Sequence, residues 1–130
     1  MPGPYVYAKV DELQNSDKVG STECVALVQI YAKAPTTPNW TAGAHVKGNV
    51  ALAKGTAIAT FVGGKYLSHK HGNHAALYIS QDAAGITVMD QWRGEKKPKV
   101  SMRKLSFKGR DKNGNLIDPS NNGDAFSVIN

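Results

Sequence analysis

VGSTECVALVQIYAKA, residues 19–34, outlines a helix: after Gly20 and Ser21 the chain runs from Thr22 to Ala34 without Gly or Pro, and Pro35 follows. Ser21 or Thr22 is positioned to cap it, which puts Cys24 in the first turn beside backbone N–H groups that have no helical partner. Cys24, Leu27, Val28 and Tyr31 follow the three-and-four spacing of a buried stripe, which Val25, Ala26 and Ala32 broaden. Such a helix has almost no solvent face and needs a sheet to cover it.

The sheet is written downstream. GTAIATFV (55–62) alternates faces and ends at Gly63-Gly64, HAALYIS (74–80) and ITVMDQW (86–92) flank the turn QDAAG, and VSMRKLSFKG (100–109) predicts a further strand with Val100, Met102, Leu105 and Phe107 inward. AFSVI (125–129) reads as a closing strand, and NLI (115–117) as a brief one beside DKNG. Upstream, MPGPYVYAKV predicts an extended lead-in, and Val10–Asn15 a short helix that packs Leu13. TTPNWTAGAHVKG (36–48) reads as a loop, with Trp40 and His45 as anchors or cleft wall. A helix-led first half and a sheet-forming remainder make an α+β domain, and 130 residues fit one domain, 1–130.

Nothing in the chain approaches the roughly 20 continuous apolar residues of a membrane-spanning helix, and the N-terminus lacks the basic start and apolar run of a secretory signal. Membrane insertion is therefore not expected, and export would use a route that reads no signal peptide. Cys24 is the only cysteine, which excludes an internal disulfide and a Cys-rich zinc site. The formal charge of +6 is concentrated at Arg93, Lys96, Lys97, Lys99, Arg103, Lys104, Lys108, Arg110 and Lys112, an expected electropositive surface. Aromatic residues do not interleave with these cations at a regular period, so a nucleic-acid-binding sheet is disfavoured.

A lone cysteine on an apolar helix is by default a buried, inert side chain. Chemistry requires something that lowers the thiol pKa and something that takes its proton. The helix N-terminus supplies the first, and His74, at the head of a strand, can supply the second. A third group must fix the imidazole tautomer. Pairing around the QDAAG turn puts His74 opposite residues 91–93, with Asp90 a rung or two away; Asp90 is favoured for its charge and Gln91 is the alternative. Tyr7, Trp40, His69, His71, Asn73 and Trp92 are candidates for the substrate cleft. HKHGNH (69–74) matches no strong metal motif, so neither metal nor cofactor is expected.

The order VGSTECVALVQ, KGTAIATF, GNHAALYI, ITVMDQW resembles the NlpC-type and CHAP-type cysteine amidohydrolases, compact papain-like enzymes, over roughly residues 19–92. Nearly the full length also resembles a small bacterial family known as BPSL-type proteins, and the cysteine amidases delivered by type VI secretion offer a related picture. The resemblance implies Cys24 as nucleophile, His74 as base, and Asp90 or Gln91 as the orienting group. It also implies hydrolysis of a stem-peptide or cross-link amide in peptidoglycan, an antibacterial role in a rival's periplasm, and a cognate immunity protein. ECVAL stands where a DC-S-G-type start is common, which bears on the substrate more than on the chemistry. A protein-directed cysteine peptidase or acyltransferase of the same fold is the alternative.

Overall fold

The computed structural model describes residues 3–69 and 71–130. Met1 and Pro2 of the expected lead-in lie outside the described residues. One α-helix, α1 (Cys24–Tyr31), packs on a six-stranded antiparallel sheet of β1 (Ala42–His45), β2 (Ala57–Thr60), β3 (Ala75–Gln81), β4 (Gly85–Asp90), β5 (Ser101–Ser106) and β6 (Phe126–Ile129). The order across the sheet is β1-β6-β2-β3-β4-β5, with every neighbouring pair antiparallel. This is the expected α+β, papain-like arrangement, with the helix ahead of the sheet it covers.

Strand alternation divides the core. On one face Ala57, Ala59, Ala75, Leu77 and Met89 meet Leu27 and Val28 of the helix together with Val10 and Leu13, which belong to a short 3-10 helix. On the other, Ile58, Ala76, Tyr78, Ile86, Val88, Leu105 and Phe126 form a second cluster with Val46. Alanines at three of the helix-facing positions, Ala75 of β3 among them, let α1 pack closely on β3, which brings Cys24 to the sheet.

Several expectations are corrected. The helix ends at Tyr31 rather than Ala34, because Ala32 leaves the helix and Lys33 takes a left-handed φ of 64°. The cap position is Glu23, not Ser21 or Thr22, and its side chain makes no capping hydrogen bond; Thr22 sits at φ 68° in the turn before it. Residues 42–45 form β1 although AGAH has no strand-favouring side chain: pairing with β6, Ala42 to Ile129 and His45 to Ser127, recruits an exposed edge. Met102 points outward at 43% exposure, since the face it shares with Lys104 is the one β5 turns to solvent. NLI contributes only an isolated bridge, Arg110 to Leu116.

The hairpin of β3 and β4 turns on Asp82, whose Oδ1 accepts from Ala84 N at 2.8 Å and Gly85 N at 3.2 Å. At Gly85 any side chain would collide with the backbone of β5, because a Cβ there would lie 2.4 Å from Leu105 O. The turn fixes the register and hence which residues reach the helix N-terminus.

Candidate active site

Cys24 is the first residue of α1. Gly20 and Thr22 both take positive φ in the approach, so the chain bends sharply before the helix. Gln91, fully buried, ties this bend down: its Oε1 accepts from Val19 N at 3.0 Å, and its Nε2 donates to Val19 O at 3.1 Å and Glu23 O at 2.8 Å. All three contacts stay with the approach loop.

His74 immediately precedes β3. Thr60 sets its backbone: Oγ1 accepts from His74 N at 3.0 Å, and Thr60 N donates to His74 O at 3.0 Å. The imidazole Nε2 lies 2.8 Å from Asp90 Oδ2, with both side chains buried. That contact occupies Nε2 and leaves Nδ1 as the ring nitrogen available to the thiol.

Burial opposes ionisation of Cys24, but the His74 side chain favours the thiolate by hydrogen bond and by charge. The Ala75 N–H and the Tyr66 hydroxyl add to this, and the balance holds Cys24 below the ordinary thiol range. Burial would keep His74 neutral; the Asp90 hydrogen bond and the Cys24 thiolate overcome it and raise the imidazole to about 9. Burial likewise pushes Asp90 towards its neutral form, and His74 and then Arg103 reverse this, bringing it to about 2. The geometry therefore favours a thiolate–imidazolium pair over two neutral groups.

Two cations close around Asp90. Arg103 Nε donates to Oδ2 at 2.7 Å, the same oxygen that His74 meets, and Lys97 Nζ forms an ion pair with Oδ1 at 3.0 Å without hydrogen-bond geometry. Both also lie over the Trp92 ring, each 4.7 Å from its centroid, and Trp92 presents an edge to His74 at 6.3 Å. The expectation of a continuous basic surface is corrected here. Lys97 is 6% exposed, and Lys99, Lys104 and Lys108 pair with Asp17, Asp82 and Asp118.

Cys24 opens on a cleft of about 720 Å³ whose walls include His69, His71, Asn73, His74 and Trp92. A second groove of about 630 Å³, reaching Arg103, Asp118 and Asn121, shares His71, Asn73, His74 and Trp92 with it. Tyr7 and Trp40 stand behind these walls. Tyr7 packs on Tyr31 with ring centroids 4.9 Å apart, and its N–H donates to Gly55 O. Trp40 is buried, donates Nε1 to Pro35 O at 2.7 Å, and backs the ring of Tyr66 at 4.8 Å. Among the described residues no group of three or more His, Cys, Asp or Glu side chains gathers into a metal-binding set.

The sequence reading passed over Tyr66, Arg103 and Lys97 as site residues. Tyr66 lies in the polar loop after Gly63-Gly64, with its hydroxyl 3.7 Å from Cys24 Sγ. Being the lone aromatic between Gly63-Gly64 and HKHGNH is its only signal in the sequence. Arg103 and Lys97 were concealed within a run of like charges.

A family model described as domesticated amidase effector 2 matches residues 7–129. A type VI secretion amidase effector 2 protein of Salmonella typhi is 44% identical over 131 aligned residues, covering 97% of this chain and 98% of that protein. Domesticated amidase effector 2 of Ixodes scapularis is 42% identical over 117, covering 85% of this chain and 72% of the relative. The solved structure of a type 6 secretion amidase effector 2 (Tae2) superposes with a TM-score of 0.90 at 42% identity, covering 98% of this chain and 94% of that one. By its fold, its length and its sequence, the chain belongs to the amidase effector 2 family.

Proposed function

We propose that this chain is a cysteine amidase that hydrolyses a stem-peptide or cross-link amide of peptidoglycan and acts as an antibacterial type VI secretion effector. The observation that carries the chemistry is the buried contact of His74 with Asp90 beside a thiol at a helix N-terminus, opening on a cleft. Kinship with proteins named type VI secretion amidase effectors supports the amide bond and the delivery route.

Cys24 Sγ attacks the carbonyl carbon as the thiolate, and the carbonyl electrons move to oxygen. The backbone N–H of Cys24 at the head of α1 receives that oxyanion. His74 gives its Nδ1 proton to the departing amine as the C–N bond breaks, leaving a thioester on Cys24. It then takes a proton from water, which attacks the thioester carbon; the C–S bond breaks, the acid is released, and the thiolate–imidazolium pair is restored. Asp90 is the orienting group in this reading, supported by its charge and its 2.8 Å contact, whereas all three hydrogen bonds of Gln91 go to the loop before Cys24. The two grooves meet at His74 and Trp92, which leaves room for substrate on both sides of the scissile bond. His69, His71 and Asn73 form the substrate wall.

Action in the periplasm of a target cell and an acidic immunity protein that covers the cleft belong to the same proposal. The test is mass spectrometry of purified peptidoglycan fragments after incubation with the wild type and with Cys24→Ala. New peptide termini made by the wild type alone support the reading and name the bond. Equal products from both proteins would contradict it, and cleavage of protein substrates but not of peptidoglycan would favour a protein-directed peptidase.

A further inference from the structure

The hydroxyl of half-buried Tyr66 faces the reacting sulfur, and the hydrolysis proposed above does not use it. Its Oη lies 3.7 Å from Cys24 Sγ and accepts a hydrogen bond from Asn73 Nδ2 at 3.2 Å. Because Asn73 donates to it, the phenol proton is free to point elsewhere, and the sulfur side of the cleft is where the thiol lies. The ring is backed by buried Trp40, at 4.8 Å between centroids, so the hydroxyl cannot retreat. Burial, and then the neighbouring Cys24 charge, push the phenol above its ordinary range, so it stays a donor at any pH at which the protein works.

We propose that Tyr66 is a catalytic residue, the side-chain half of the oxyanion hole, and that Asn73 is the positioning residue that aims its proton. The inference rests on the cysteine amidase reading. As Sγ bonds to the carbonyl carbon, the carbonyl π electrons pass to oxygen, and that oxygen accepts from Cys24 N–H and Tyr66 O–H. On collapse the electrons return, the C–N bond breaks, and the amine leaves with the His74 proton. Tyr66 keeps its own proton throughout. The donor strengthens as negative charge grows on oxygen, so its contribution falls on the transition state more than on substrate binding.

Two reactions of the same sulfur separate this role from a merely structural one. Amide hydrolysis builds an oxyanion; alkylation of Cys24 by iodoacetamide does not. Tyr66→Phe is expected to lower kcat on peptidoglycan fragments by on the order of 100-fold, with KM nearly unchanged, while alkylation, compared at a pH where Cys24 is ionised in both proteins, changes far less than turnover. Asn73→Ala gives a smaller loss, and adding it to Tyr66→Phe gives little more, since both changes act through one proton. Wild-type kcat in Tyr66→Phe, or alkylation falling in step with turnover, would overturn the assignment; the second outcome would make Tyr66 a ground-state partner of the thiolate. If Tyr66→Phe loses its fold by circular dichroism, Asn73→Ala under the same two assays decides. Cleavage that survives in Cys24→Ala would sink the amidase reading itself, a failure distinct from a silent Tyr66→Phe.

Discussion

Oδ2 of Asp90 serves two donors, His74 Nε2 at 2.8 Å and Arg103 Nε at 2.7 Å, so its charge is divided between them. A carboxylate facing His74 alone would concentrate its charge on the imidazole; Arg103 draws part of it away. Arg103→Met is therefore expected to move the alkaline limb of the kcat/KM profile upward from about 9, the value of His74, with Arg103→Lys restoring part of the shift. The limb has this sign because the proposed mechanism requires the imidazolium, so activity declines as His74 loses its proton. Asp90 also ties stability to acid. Its carboxyl is about 2 when folded against 3.8 for the free group, so its contribution is fully present above 3.8 and lost as pH falls through about 2. It amounts to about 2 kcal/mol. Urea titrations should show Asp90→Asn losing less stability than wild type over that window, with the remaining slope belonging to Asp17, Asp82, Asp118 and Asp124, whose carboxyls are also held below the ordinary range; parallel curves would contradict it.

At the scale of elements, Gln91 joins the end of β4 to the turn that launches α1. Gln91→Ala leaves the Val19 N–H without its partner and takes one of two donors from each of the Val19 and Glu23 carbonyls, which keep Thr22 N and Ala26 N; it is expected to cost about 1–3 kcal/mol and to slow turnover by loosening Cys24. Unfolding and kcat measured on the same preparation check this, and a variant stable as wild type would contradict it. Much of this level was legible in advance. The turn chemistry of QDAAG and strict alternation on either side bring His74 and Asp90 together. A bulge between Tyr78 and Ser80 shifts the pairing by one without moving that end of the hairpin. What stayed hidden depends on partners far along the chain. AGAH is a strand only because β6 returns beside it, and the helix N-terminus is fixed by Gln91 and not by a Ser or Thr cap.

Over the whole molecule the charge count was readable but its disposition was not. Lys99, Lys104 and Lys108 meet acids from distant or turn positions, and Lys97 folds inward, so the basic run 93–112 supplies site chemistry as well as surface. The net charge of +6 still favours an anionic polymer. Cosedimentation with intact peptidoglycan sacculi should weaken as salt rises from about 0.05 to 0.5 M, where screening shortens from over 10 Å to a few Å, while hydrolysis of short fragments changes little. Salt-independent cosedimentation would contradict a charge-driven approach.

Pairing of a Cys24 thiolate with the His74 imidazolium can be assayed directly, because the chain has one cysteine. The measurement is the rate of iodoacetamide alkylation against pH for wild type and His74→Ala. Wild-type Cys24 should be modified rapidly below the ordinary thiol range, with a titration that moves up towards the free-thiol range when His74 is removed. A single titration at the free-thiol value, the same with and without His74, would contradict it.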